Sequence, residues 1–274
     1  MSYIQIIRPL NLLITAFASA SAYFIVADNI DQINLFLILT STVLTAGAGN
    51  IINDIIDIDI DTLNKPLRPL PSKNMTVGRA YIWYFILVAG SMTSGFFLGY
   101  HSFAAVILVN FILLFYTVFL KRRPFWGNFI VAFISGYLFY FCSITTGNFI
   151  MIIPLAVSAF LFHFIREIIK DIADIDGDRK QKANTMAVAI GADRTIRLLK
   201  MLIMTLIIYL GYLMLAGGYS VFFSVIIILF VIPVIVYVLI SLSKKDHKRD
   251  YEKLSLIMKA DMVFGILAFY FGMM

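Results

Sequence analysis

Apolar stretches of about twenty residues recur from one end of the chain to the other, each long enough to cross a bilayer core as a helix. Nothing else in the sequence restricts the fold as much. In lipid the backbone must satisfy its own N–H and C=O groups, and within one segment only a helix does so. Spans are expected at Leu10–Val26, Leu35–Ile52, Ala80–Gly99, Phe103–Leu120, Asn128–Thr145, Phe149–Ile168, Leu198–Leu215, Val221–Leu242 and Leu254–Met273. Of the 274 residues 61% are hydrophobic and 14% charged, which leaves no material for a soluble domain of any size. The expectation is an all-α polytopic membrane protein of nine transmembrane helices, with residues 1–274 as a single domain. The first apolar segment has no small-residue cleavage site before a polar region and reads as a span, not a signal peptide.

The connections alternate in character. "ADNIDQIN", "GYHS", "TTGN" and "AGGYS" are almost free of basic residues, whereas "NKPLRPLPSKNMTVGR", "KRRPFWG", "DGDRKQKANTM" and "SKKDHKRDYEK" are rich in them. The positive-inside rule assigns the second set, with Arg8, to the cytoplasm. An odd number of spans then leaves the N-terminus inside and the C-terminus outside a multi-pass protein of the cell membrane. The net charge of +6 resides in these loops. Its expected partner is the anionic surface of the lipid bilayer, and no nucleic acid is needed. Cys142, the single cysteine, lies in an apolar span and reads as an inert buried thiol.

An internal repeat sits on this frame. Asp54, Asp57, Asp59 and Asp61 form one acidic cluster; Asp171, Asp174, Asp176 and Asp178 form another with the same offsets of 0, 3, 5 and 7. Each cluster follows an even-numbered span into a basic loop, and four spans separate them. That pattern suggests two parallel four-helix pseudo-repeats plus a ninth helix, with a site between the halves. On a continuing helix, offsets 0, 3 and 7 fall within an arc of roughly 60°. Asp54, Asp57 and Asp61 would then share a face, as would Asp171, Asp174 and Asp178, with Asp59 and Asp176 directed elsewhere. Asn53 adds a neutral oxygen beside the first face, and Gly177 is expected to unwind the second helix before Asp178. Carboxylates without His or Cys suit hard divalent cations, so the reading is two Mg²⁺ ions, with Mn²⁺ as a substitute, clamping a diphosphate. A solvated acidic loop and an ion-coupled transporter are the competing readings. The transporter's acids would sit at mid-membrane on broken helices rather than at a helix end.

Asn53-Asp54-x-x-Asp57-x-x-x-Asp61 followed by "KPLRPLPS" resembles the first aspartate-rich motif of the UbiA-type intramembrane prenyltransferases, and Asp171-x-x-Asp174-x-x-x-Asp178 resembles the second. The opening "IRPLN", the turn "KRRPFWGN" and the number of spans agree with that family along the whole chain. The resemblance implies nine helices around a central cavity and transfer of a polyprenyl group from its diphosphate to a lipophilic acceptor. It implies Asp57, Asp61, Asp174 and Asp178 as the catalytic acids, with Asn53, Asp54 and Asp171 completing the metal set. Arg8, Asn11, Arg68, Tyr116, Lys121, Arg122, Arg166 and Lys170 become candidates for substrate binding. For each cation the competing reading is simple anchoring at the membrane surface. Tyr116 and Tyr137 are candidates for lining the chamber in which an allylic cation is shielded from water.

His163, Arg166, Glu167 and Lys170 follow at offsets 0, 3, 4 and 7, either as a polar stripe into the site or as an internally paired patch. "REIIKDIADIDGD" is similar to the ether-lipid branch of the family, whose donor is geranylgeranyl diphosphate and whose acceptor is geranylgeranylglyceryl phosphate. Thr185-Met186-Ala187 departs from the Thr-Leu-Pro usual there. An aromatic acceptor is the alternative within the family. "DGDRKQ" lacks the Ala-Arg and the later acids of the CDP-alcohol phosphotransferases.

Overall fold

A computed structural model of the chain describes residues 2–180, 182–242 and 248–273. Among the described residues there is helix and no strand. The main helical segments are α1 (Pro9–Val26), α2 (Gln32–Ile56), α3 (Val77–Phe97), α4 (Tyr100–Phe115), α5 (Trp126–Ser143), α6 (Phe149–Ala173), α7 (Ala192–Ala216), the short α8 (Val221–Ile226) and α9 (Lys248–Gly272). π turns carry α4 on through Tyr116–Leu120 and α8 on through Ile227–Val231 into a further helical stretch, Ile232–Ser241. The second π turn precedes Pro233, whose ring and missing N–H disrupt regular α-helical bonding. Eight of these helical segments are long and apolar enough to cross a membrane, while the apolar run of α5, Trp126–Cys142, is shorter. The expected boundaries hold to about three residues except at four ends: α7 and α9 begin at Ala192 and Lys248, before Leu198 and Leu254, because polar first turns extend the apolar runs, and α2 and α6 run on to Ile56 and Ala173 and so carry the first acid of each cluster inside the helix. The expected cytoplasmic loop "SKKDHKRDYEK" falls partly outside the described residues, at 243–247.

The chain divides into two compact units, Met1–Leu120 with Phe141–Asn148, and Lys121–Tyr140 with Phe149–Met274. In the first, α2 packs along α3, and glycines permit the approach. A Cβ on Gly90 would lie 2.8 Å from the Leu44 side chain, and one on Gly47 3.1 Å from Leu87. Asp31 caps α2 by accepting from the N–H groups of Ile33 (2.8 Å) and Asn34 (3.2 Å). Leu70 and Met75, from the loop after the first acidic cluster, are buried with Ile51, Ile52, Ile55, Ala80 and Tyr84. Their burial folds that loop back onto the C-terminal end of α2. The Asn50 amide donates to the Ile7 carbonyl at 2.9 Å and fastens the N-terminal segment to α2.

In the second unit α6 packs against α7 and α9, with Ile165, Ile168 and Ile169 fully buried. A Cβ on Gly136 would come 2.7 Å from the Ala156 carbonyl, so α5 and α6 meet at backbone distance there. Tyr219, Phe223 and Phe269 form a cluster in which the Phe223 ring centroid is 4.4 Å from Tyr219 and 5.0 Å from Phe269.

Candidate active site

In the first unit the acidic cluster is not one continuous helix. α2 ends at Ile56, Asp57 leaves helical geometry with φ −92° and ψ 9°, and a short helix covers Ile58–Asn64. The Asp57 N–H still donates to the Asn53 carbonyl (3.0 Å), and Asp61 N–H to the Asp57 carbonyl (2.8 Å), so the chain bends without abandoning those backbone bonds. Asp54 and Asp61 are buried, Asp57 is half-buried and Asp59 is exposed. Asp54 and Asp61 therefore do turn inward together, and Asp59 outward, as the spacing requires.

What holds them is arginine. Arg68, brought back by the buried Leu70, donates to Asp54 at 3.1 Å and forms an ion pair with Asp61. Arg8 forms an ion pair with Asp54 from a left-handed backbone position, φ 56°. A non-glycine residue there is strained and is kept in place by its surroundings. Thr117, inside the π turn of α4, donates its hydroxyl to the Asn53 side-chain oxygen at 2.9 Å. Tyr116 is buried beside it, and Asn11 opens α1 with its N–H on the Arg8 carbonyl at 2.9 Å.

The second unit repeats the backbone device. α6 ends at Ala173, Asp174 forms the break, and a short helix covers Ile175–Lys180. The Asp174 N–H donates to the Lys170 carbonyl and Asp178 N–H to the Asp174 carbonyl, each at 2.9 Å. This corrects two expectations. The helix presenting each cluster is broken at offset 3 rather than continuous. Gly177 is not where the second one unwinds, since it lies inside Ile175–Lys180. Asp171 accepts from the Asn128 amide (3.0 Å) and the Met186 N–H (3.2 Å), and Asp178 from the Thr185 hydroxyl (2.9 Å). Burial pushes the Asp178 carboxyl above the usual carboxylate range; the Thr185 hydroxyl opposes that, Asp174 adds to it and the Arg122 charge opposes it. Asp174 is exposed.

The repeat thus extends beyond the acids. Thr185 stands fourteen residues after Asp171, as Arg68 does after Asp54. Each residue reaches back to the last acid of its cluster. Arg8 and Asn128, near the start of the first helix of each half, each reach the first acid. Thr117 and Asn128 were not among the expected site residues, and Thr185 and Met186 entered only as a departure from the family's usual Thr-Leu-Pro. The matching offset of fourteen was the available signal for Thr185.

Glu167 accepts from Arg166 and Lys170, both at 2.8 Å, and Arg166 also donates to the Ser255 carbonyl of α9 at 3.3 Å. The stripe is therefore internally paired from Arg166 to Lys170. His163 Nδ1 is buried without a partner. Arg122 is exposed, its carbonyl accepting from Asn184 N–H at 3.2 Å, and Lys121 is half-buried. Tyr137 stacks on Phe133 with centroids 6.0 Å apart.

Among the described residues no three acid, imidazole or thiol side chains converge into a ready-made metal cage. The donor set nevertheless fits Mg²⁺, which takes one or two carboxylates and completes its shell with water and phosphate oxygen. The half-buried Asp57 and exposed Asp174, at the two helix breaks, are hard oxygen donors of the right kind.

The profile of the UbiA prenyltransferase family matches residues 12–262, and the chain belongs to that family. It is a prenyltransferase with the polytopic all-helical fold of the family. It is 33% identical to the digeranylgeranylglyceryl phosphate synthase of Methanosphaera stadtmanae over 98% of each chain. Identity to the Methanococcus maripaludis protein of the same name is 31% over 93% of each. A solved structure concerned with digeranylgeranylglyceryl phosphate synthase superposes with a TM-score of 0.81 at 26% identity, over 99% of this chain and 97% of that one. A UbiA homologue from Archaeoglobus fulgidus, bound to GPP and Mg²⁺, superposes at 0.80 with 21% identity over 99% and 98%, and supports the fold.

Proposed function

We propose that the chain transfers a geranylgeranyl group from geranylgeranyl diphosphate to the free hydroxyl of geranylgeranylglyceryl phosphate, in ether-lipid synthesis. The observation that carries this reading is the acidic motif repeated with the same break and with reach-back partners at matching positions, in a chain whose full-length relatives bear that activity in their names. In the reaction the allylic C–O bond to the diphosphate breaks, an ether C–O bond forms, and the hydroxyl proton is released. Mg²⁺, when bound, neutralises charge on the departing diphosphate. Asp57 and Asp61 with Asn53, and Asp174 and Asp178, are the residues that would hold it. Asp54 and Asp171, each already engaged by protein donors, position the acids beside them. Arg68, Lys121, Arg122, Arg166 and Lys170 are cations suited to phosphate oxygens of donor or acceptor, arginine bidentately. The apolar helices keep water from the allylic cation, which buried aromatic faces such as Tyr116 would stabilise.

The test is transfer in liposomes, with geranylgeranyl diphosphate offered together with geranylgeranylglyceryl phosphate or an aromatic acid and products identified by mass. The expected product is the doubly prenylated glyceryl phosphate, formed with Mg²⁺ and lost on adding EDTA. Prenylation of the aromatic acid alone would assign the acceptor to the other branch. Full turnover in chelator would remove the metal from the reading.

We also place the basic loops and N-terminus in the cytoplasm of a cell-membrane protein. In a Cys142→Ala background, His101→Cys should react with an impermeant maleimide on intact cells and Arg123→Cys only after permeabilisation. The reverse pattern would invert the topology.

A further inference from the structure

The two acid sets stand in the same register, yet their counter-charges differ. In the first unit two carboxylates, Asp54 and Asp61, are paired with two guanidiniums, Arg8 and Arg68. Both acids are buried, so solvent does little to loosen those pairs. In the second unit the hydrogen-bond partners of Asp171 and Asp178 are neutral: the Asn128 amide and Met186 N–H on Asp171, and the Thr185 hydroxyl on Asp178. Among the described residues Asp171, Asp174 and Asp178 form no ion pair with lysine or arginine. Lys170, next in sequence, is engaged by Glu167. Arg122 acts on Asp178 only through its field. The contrast centres on one repeated position, which is Arg68 in the first half and Thr185 in the second.

We propose that the halves are unequal toward divalent cations, with the Asp174–Asp178 set taking up an ion on its own and the Asp57–Asp61 set held in check by Arg68. This rests on the metal-dependent reading above and adds an order of loading to it. A dication approaching Asp61 competes with a guanidinium that already neutralises that carboxylate and repels a second cation. One approaching Asp178 meets only a neutral hydroxyl donor. With the diphosphate present, its oxygens offer Arg68 an alternative anion, so the first set would accept its ion together with the substrate.

Mn²⁺ titration of the purified full chain in detergent, without prenyl diphosphate, reads this directly through depletion of the free-ion EPR signal. Wild type is expected to take one equivalent tightly and a second about tenfold or more weaker, the factor that one exchanged charged hydrogen bond sets. Asp174→Asn and Asp178→Asn should lose the tight ion, and Asp57→Asn should keep it. Arg68→Thr, which copies the second half, should bring the second ion close to the first. Should Arg68→Thr not elute as a single species, the contrast between Asp174→Asn and Asp57→Asn decides alone. Two equal sites in wild type, loss of the tight ion in Asp57→Asn, or no binding before the diphosphate is added would each overturn the proposal. None of these outcomes touches the transferase reading, which stands or falls on the product assay.

Discussion

Asp57→Ala, Asp61→Ala, Asp174→Ala and Asp178→Ala are each expected to lower kcat by about 10²-fold or more, the usual cost of removing one element of preorganised electrostatic stabilisation. The loss belongs in kcat because charge on the diphosphate grows as the allylic bond breaks. Asp59→Ala is the internal control. Asp59 stands off the face that Asp54 and Asp61 share and outside the offsets 0, 3 and 7 of the repeat, so its activity should stay within a few-fold of wild type. Asp176→Ala is a harder test of the same argument, because Asp176 is half-buried like Asp171 and Asp178. Single-turnover measurement on protein of unchanged elution profile separates chemistry from folding. Asp61→Asn should accompany Asp61→Ala, since it keeps the side chain's shape while removing the charge that Arg68 pairs with. If Asp59→Ala were as damaging as Asp61→Ala in intact protein, the division of the first cluster into inward and outward acids would be wrong.

The helices were legible because lipid leaves few alternatives, and the apolar runs mark their lipid-facing lengths but not the polar first turns of α7 and α9. The acids were legible because a repeated spacing is independent of how the helix bends. The bend itself was not. Nothing at Asp57 or Asp174 signals a break in the usual way, by proline or glycine, and the glycine that does occur, Gly177, lies inside helix. Aspartate is a modest helix former whose carboxylate competes for backbone donors, a weak signal that tertiary context decides. Arg68 was recognisable as a partner of anions, but which anion depends on the fold-back of its loop, driven by Leu70 and Met75. A hydropathy profile contains no such long-range contact. The same holds for Thr117, whose hydroxyl reaches Asn53 from within a π turn that the sequence does not mark.

Arg68→Ala should be the most destabilising of the single changes outside the apolar core. It removes one guanidinium from two buried carboxylates and leaves Asp61 without the partner that the structure gives it. Removing one member of a buried ion pair typically costs about 3–5 kcal/mol, because the charge left behind is neither solvated nor paired. Thr185→Val, at the equivalent position of the other half, deletes one neutral donor to a half-buried carboxylate and should cost about 1 kcal/mol. Thermal melting in detergent measures both, and the ranking is sharper than either value. The cause can be isolated by a double-mutant cycle, as the paired residues are in contact and should not add. Asp61→Asn in the Arg68→Ala background removes the stranded charge, so the double variant should melt above Arg68→Ala alone. Arg8 still neutralises Asp54 in both, which keeps the cycle confined to one pair. If the double variant melted below Arg68→Ala by the full cost of Asp61→Asn in wild type, the two residues would be energetically independent. Arg68 would then owe its place to the packing of its loop and not to the acids it bridges.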